Sequence, residues 1–305
     1  MLKVEELTPE LQETLNANMD DVKARRRARE AFKDVQLNID HLLFKTSCDG
    51  LKTKESYDVN SRGLEIFSKS WLPEKRSPKA VICFCHGYGD TCTFFFEGIA
   101  RKLASSGFGV LAMDLPGFGL SEGLHGFIPS FSSLVDDVIE HYSKIKELRD
   151  LPRFLLGQSM GGAVALKVHL KQPEFWNGAI LVAPMCKIAD DVVPPWAVKQ
   201  FLIGVAKVLP KSKLVPQKDL ADMAFREPKK KPLVSLPLLI LHGKADIVTD
   251  PSVSKALYEK ARSKDKKLNL YDDAYHALLE GEPDDMILRV FDDITSWVDE
   301  RSGMK

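Results

Sequence analysis

The residues with the clearest chemical meaning are a serine set between glycines and, well downstream, an aspartate and a histidine. Gly157-Gln158-Ser159-Met160-Gly161 has the form G-x-S-x-G. The pattern alone is common, but here it follows the apolar run Phe154-Leu155-Leu156 and opens a mostly apolar helical stretch over residues 160–170. That strand-to-helix context is what a nucleophilic serine of this type requires. Larger side chains on either side of the turn would clash, and the hydroxyl stands clear at a helix N-terminus. There the free N–H groups and the helix dipole favour developing negative charge.

A serine hydroxyl is a poor nucleophile without a base. The acid and the base are expected in the chain order Ser…Asp…His. Residues 238–241 read as an apolar strand that runs through His242-Gly243 into a loop holding Asp246. Residues 268–271 read as a strand running into a loop that holds His276. Ser159, Asp246 and His276 are therefore the candidate catalytic residues. His276 would take the Ser159 proton and return it to the leaving group, and Asp246 would fix the imidazole tautomer and stabilise the imidazolium. Asp250 precedes Pro251 and reads as a helix cap. Asp272 and Asp273 are too near His276 in sequence to be its acid. His242 reads as a structural turn residue and His169 as a satisfied core histidine. The oxyanion needs two backbone donors. One is the N–H after the nucleophile, Met160. The other is assigned to Tyr88, in the loop His86-Gly87-Tyr88-Gly89 that follows an apolar strand over residues 80–85.

These loops need elements to carry them. After Tyr57 the chain alternates short apolar strands with amphipathic helices: a strand pair around Ser61-Arg62-Gly63 within residues 57–71, then strands at 80–85, 108–113, 154–156, 179–182, 238–241 and 268–271. Helices are expected between them, at 95–103 with Gly107 ending the first, and at 131–145, 160–170, 251–261 and 286–298. Strands that read as continuous apolar runs are buried on both faces, and strand–helix alternation means parallel strands joined by crossovers. The expected class is α/β, one mostly parallel, doubly wound sheet with its site at the carboxyl ends of the strands.

Four segments follow: an N-terminal helical extension over 1–56, a first core part over 57–184, an insertion over 185–235, and a second core part over 236–305. The extension reads as one helix over 7–35, with Thr8-Pro9 as its start and an apolar stripe of Leu7, Leu11, Leu15, Met19 and Val22. The basic cluster Lys23, Arg25, Arg26, Arg27 and Arg29 reads as the solvated face of a helix packed on the body. Contact with a membrane surface or a partner is the alternative. The insertion carries six of the seventeen prolines and an apolar helix near residues 196–208, as a cap over the strand ends would.

The 305 residues contain 43 Lys+Arg and 43 Asp+Glu, and this zero net charge argues against nucleic acid as a partner. No stretch approaches a membrane span. Five cysteines, an odd and sparse set, suit a reducing compartment rather than a disulfide scaffold, and Cys83 and Cys85 read as buried thiols on one strand face. The acid-rich start does not resemble a targeting segment, so a cytoplasmic location is expected, with peripheral membrane contact through the cap or the N-terminal helix left open. No His/Cys/Asp cluster has ligand spacing, and neither a metal nor an organic cofactor is implied.

Taken in order, His86-Gly87-Tyr88-Gly89-Asp90, residues 114–123 (DLPGFGLSEG), Gly157-Gln158-Ser159-Met160-Gly161-Gly162, His242-Gly243-Lys244-Ala245-Asp246 and Tyr275-His276 resemble the monoacylglycerol lipase family of α/β-hydrolases. The likeness is greatest to the plant branch that includes caffeoylshikimate esterase. The resemblance implies a serine carboxylic-ester hydrolase that cleaves monoacylglycerol-like acyl esters through an acyl-enzyme on Ser159. A phenolic esterase, a lysophospholipase, an acyltransferase and a non-catalytic ligand-binding isoform are the alternatives. The chain departs from the family at Phe118, where many relatives carry His, and at Gln158, where caffeoylshikimate esterase is expected to carry Glu. It also departs between Arg226 and Leu236, where a few dozen residues of the usual cap are missing.

Overall fold

The computed structural model describes residues 8–145, 148, 150–185 and 234–303. The cap reading, its helix near 196–208 and the shortening after Arg226 lie outside the described residues, as do Leu7 and Cys186.

Among the described residues, eight strands form one sheet: β1 (Leu51–Val59), β2 (Glu65–Pro73), β3 (Val81–Cys85), β4 (Gly109–Met113), β5 (Arg153–Gln158), β6 (Gly178–Val182), β7 (Leu238–Gly243) and β8 (Lys266–Tyr271). Their spatial order is β1-β2-β4-β3-β5-β6-β7-β8. The first two strands pair antiparallel with each other, and β2 pairs antiparallel with β4. The remaining strands run parallel. The expected mostly parallel α/β sheet is present. Its strand pair is longer than the sequence suggested, beginning at Leu51 rather than Tyr57.

The reason the sheet is doubly wound can be read from β3. Ile82 and Phe84 face one apolar cluster with helices α3 (Phe95–Ser105) and α7 (Asp284–Ser302). Val81, Cys83 and Cys85 face another, built with α4 (Phe131–Ser143), α5 (Met160–Lys171) and α6 (Pro251–Lys260). Side chains alternate across a strand, so a run that is apolar at every position must be covered on both faces. Cys83 and Cys85 share a face, as expected, and burial pushes the Cys85 thiol up to about 12. From β3 the chain crosses through α3 to β4 on one side, then returns through α4 to β5 on the other. The carboxyl ends of β3 and β5 therefore flank the point where the winding reverses, where such sheets open a crevice.

The N-terminal extension departs from expectation twice. It is two helices, α1 (Pro9–Leu15) and α2 (Val22–Leu37), not one. The break has a local cause. Asn18 Oδ1 accepts from Asp20 N–H at 3.1 Å, and Asp21 Oδ1 accepts from Lys23 N–H at 2.9 Å as the cap of α2. Short polar side chains thus take backbone donors that a continuous helix would use. The second departure is the basic cluster. Arg25 is buried and donates to the carbonyls of Met19, Gly119 and Ser121 at 2.6–2.7 Å. Arg26 donates to Leu120 O and pairs with Glu65, and Arg29 pairs with Glu55 across both its amines. Lys23 and Arg27 alone among the five are exposed. Three of the five basic residues thus lie on the docking face.

Candidate active site

Ser159 sits between β5 and α5 with φ 53° and ψ −121°. A non-glycine residue at positive φ is held there against its own preference. Three glycines make this turn fit. A Cβ on Gly161 would lie 1.8 Å from Cys85 O, one on Gly157 would lie 2.4 Å from Gly161 O, and one on Gly162 would lie 2.6 Å from Pro184 Cβ. The backbone is anchored on both sides: Ser159 N–H donates to Val182 O at 2.9 Å, and Ser159 O accepts from Met185 N–H at 2.9 Å.

The loop after β3 approaches the serine from the neighbouring strand end. A Cβ on Gly87 would stand 3.3 Å from Ser159 Cβ and 3.9 Å from its Oγ. Gly87 thus borders the serine side chain. His86 fixes this loop from inside: it is fully buried, its Nε2 accepts from Leu115 N–H at 2.9 Å, and its Nδ1 lies 2.7 Å from Gly87 O. The Tyr88 side chain is exposed, edge-on to Phe118, and its hydroxyl donates to Gly126 O at 2.6 Å. Met160, the residue after the serine, is wholly buried.

Asp246 and His276 come together as the sequence suggested. His276 Nδ1 is 2.7 Å from Asp246 Oδ2. The other carboxylate oxygen accepts from the N–H groups of Val248 and Thr249 at 2.7 and 3.0 Å. Burial by itself would raise the pKa of this carboxyl. The hydrogen bonds from His242, His276 and Thr249 outweigh that, and hold it well below the usual carboxylate range. Asp250 caps α6 as expected, accepting from Ser252 N–H at 2.8 Å.

Two histidines differ from expectation. His242 is no turn residue. It is the penultimate residue of β7, fully buried, with Nε2 3.1 Å from Asp246 Oδ2 and Nδ1 2.7 Å from Ser254 Oγ. The strand continues through it because Gly243 pairs with Tyr271 in register. His169 is in the core but only half satisfied: Nε2 accepts weakly from Ser235 N–H at 3.4 Å, and Nδ1 is buried without a partner.

One group escaped the sequence reading altogether. Glu280, four residues after His276, accepts from Gln158 Nε2 at 2.6 Å. This bond ties the residue before the serine to the histidine loop. No motif marks Glu280, since its partner is 122 positions away.

Comparison with known proteins adds to this geometry. The model of the family Hydrolase_4, described as "Serine aminopeptidase, S33", matches residues 76–233 and 229–284. The chain is 30% identical to the caffeoylshikimate esterase of Arabidopsis thaliana, over 83% of this chain and 87% of that one. It is 31% identical to the monoglyceride lipase of Mus musculus, over 80% of this chain and 89% of that one. A soluble variant of the monoglyceride lipase of Saccharomyces cerevisiae, solved with a substrate analogue, shares the fold with a TM-score of 0.70 at 19% identity. That match covers 85% of this chain and 99% of that one.

Proposed function

The chain belongs to the Hydrolase_4 family of α/β-hydrolases, within the monoacylglycerol lipase group whose plant branch includes caffeoylshikimate esterase, and from that premise we propose that it is a serine carboxylic-ester hydrolase acting on monoacylglycerol-like acyl esters. The observation that carries the reading is the pairing of His276 Nδ1 with Asp246 at 2.7 Å, on a loop tied by Glu280 to the strained turn of Ser159.

The mechanism follows from the roles these groups can play. Asp246 takes the Nδ1 proton of His276 as a hydrogen bond, which leaves Nε2 as the basic nitrogen. Nε2 removes the Ser159 proton as Oγ attacks the ester carbonyl. The N–H groups of Tyr88 and Met160 stabilise the oxyanion of the tetrahedral intermediate. His276 returns the proton to the leaving alcohol, and an acyl-enzyme remains on Ser159. Water, activated by the same histidine, then releases the acid.

Labelling by a fluorophosphonate probe tests the activated serine without the right substrate in hand. Labelling of the native protein, lost on heat denaturation and in Ser159→Ala, is the expected result. Ser159→Ala is expected to remain folded and to lose turnover by at least about 10³-fold. Equal labelling or hydrolysis by that variant would overturn the assignment. A phenolic ester is the second reading, because a relative named caffeoylshikimate esterase matches over more of the chain than the lipases do. A comparison of kcat/KM for monoacylglycerols and hydroxycinnamoyl esters separates the two.

A further inference from the structure

Glu280 is not needed by the mechanism above, yet it is built into the same place. It lies on the loop between β8 and α7. Its Oε1 accepts from Gln158 Nε2 at 2.6 Å, while its Oε2 is buried with no hydrogen-bond partner. Its backbone carbonyl is held from a third direction. His41, on the segment that follows α2, accepts from Leu43 N–H at Nδ1, so its Nε2 carries the proton and donates to Glu280 O at 2.8 Å. The charged groups that face the carboxyl are Asp90, from the loop after β3, and His276, on its own loop. Gln158 and the Leu279 N–H complete its polar surroundings.

We propose that Glu280 is a positioning residue for the reaction at Ser159: its carboxyl holds Gln158, and its negative charge beside His276 stabilises the imidazolium formed as the serine is deprotonated. The proposal rests on the reading of Ser159 and His276 given above. A purely structural brace would not leave one carboxylate oxygen buried and bare, which costs free energy whichever way the group is ionised. A charge that must act on a neighbouring imidazole gains from the same desolvation, because the surrounding medium screens it less. Burial first, and Asp90 second, push the Glu280 carboxyl up to about 7, while the bond from Gln158, the nearness of His276 and the Leu279 N–H work the other way. The brace is therefore charged or neutral according to pH within the working range.

The test is the pH profile of kcat and KM for hydrolysis of p-nitrophenyl butyrate, with fluorophosphonate labelling rates beside it. Glu280→Gln keeps an acceptor for Gln158 and removes the charge. It is expected to lose a step in kcat centred near pH 7 and to lower kcat about three- to tenfold at pH 8.5, with KM nearly unchanged. Gln158→Leu removes the bond that favours the charged carboxyl, so its step is expected at higher pH than in the wild type. Glu280→Ala is expected to lower kcat further, about tenfold below Glu280→Gln. If it fails to fold, the first two variants carry the test. A wild-type profile and wild-type kcat in Glu280→Gln would overturn the proposal. Failure of the underlying reading is distinguishable, because Ser159→Ala would then label and turn over like the wild type.

Discussion

Asp246 accepts from five donors at once: the rings of His242 and His276, the Thr249 hydroxyl, and the N–H groups of Val248 and Thr249. Such a carboxylate has no freedom to turn, and it holds His276 with it. His242 is part of that restraint, and its Nδ1 is fixed in turn by the Ser254 hydroxyl. His242→Phe is expected to destabilise the fold by about 1–3 kcal/mol, by leaving one acceptor site of Asp246 and the Ser254 hydroxyl unpaired. It should also lower kcat about tenfold, and denaturant melts with fluorophosphonate labelling on the same samples check both effects. Asp246 and His276 were legible in the sequence because each follows an apolar strand into a polar loop. His242 is not legible as part of β7, because the dipeptide His-Gly resembles a turn. Its role depends on a side chain reaching forward from β7 into the loop, and one-dimensional spacing does not show that.

The N-terminal extension illustrates how much of an element is decided by its partner. The helical character of residues 9–37 was legible from spacing, and the burial of the basic cluster was not. In retrospect the cluster is two faces: Arg25, Arg26 and Arg29 lie three and four apart on one side of α2, and Lys23 and Arg27 lie four apart on the other. What spacing does not reveal is a row of unpaired carbonyls at Gly119, Leu120 and Ser121 to receive the guanidinium groups. Those carbonyls belong to a loop fixed by Asp114, which accepts from Cys92 N–H and Leu120 N–H at 2.6 and 2.7 Å. Further along, the chain passes so close to α3 that a Cβ on Gly98 would lie 2.4 Å from Leu43 O. Arg25→Ala is expected to cost about 2–4 kcal/mol, since it strips donors from several buried carbonyls. In that variant limited proteolysis should cut first within residues 16–50, and an unchanged melt and digestion pattern would count against this account.

At the scale of the whole molecule, the parallel sheet and the two-sided core were the most legible features, because apolar runs at every strand position admit few other packings. The candidate site lies where the winding reverses between β3 and β5. That placement was legible only as a rule about strand ends, and the cross-loop bond from Gln158 to Glu280 was not legible at all. The carboxyls of Asp246 and Glu280 set how stability follows pH. Asp246 is held below its ordinary value, so its contribution is complete above about pH 4 and is lost as pH falls. Glu280 is raised from about 4.5 to about 7, so its contribution is complete below pH 4.5 and is lost as pH rises through 7. Stability is therefore expected to be greatest between these limits, at about pH 4–4.5. Glu280→Gln should gain on the wild type by up to about 3 kcal/mol between pH 5 and 8. Melting temperatures of both proteins across that range check it, and parallel curves would refute the linkage.

No helix among the described residues is long and apolar enough to cross a membrane. The bond from His41 to the Glu280 carbonyl joins positions 239 apart. A ribosome adds roughly 5–20 residues per second, so the early partner waits roughly ten to fifty seconds for the late one. During that interval the arginines of α2 can already find the carbonyls of residues 119–121 and Leu43 can already pack on α3, but the ring of His41 lacks its last partner. The segment before β1 is thus seated in two stages, and its flank at His41 closes only when the loop bearing Glu280 emerges.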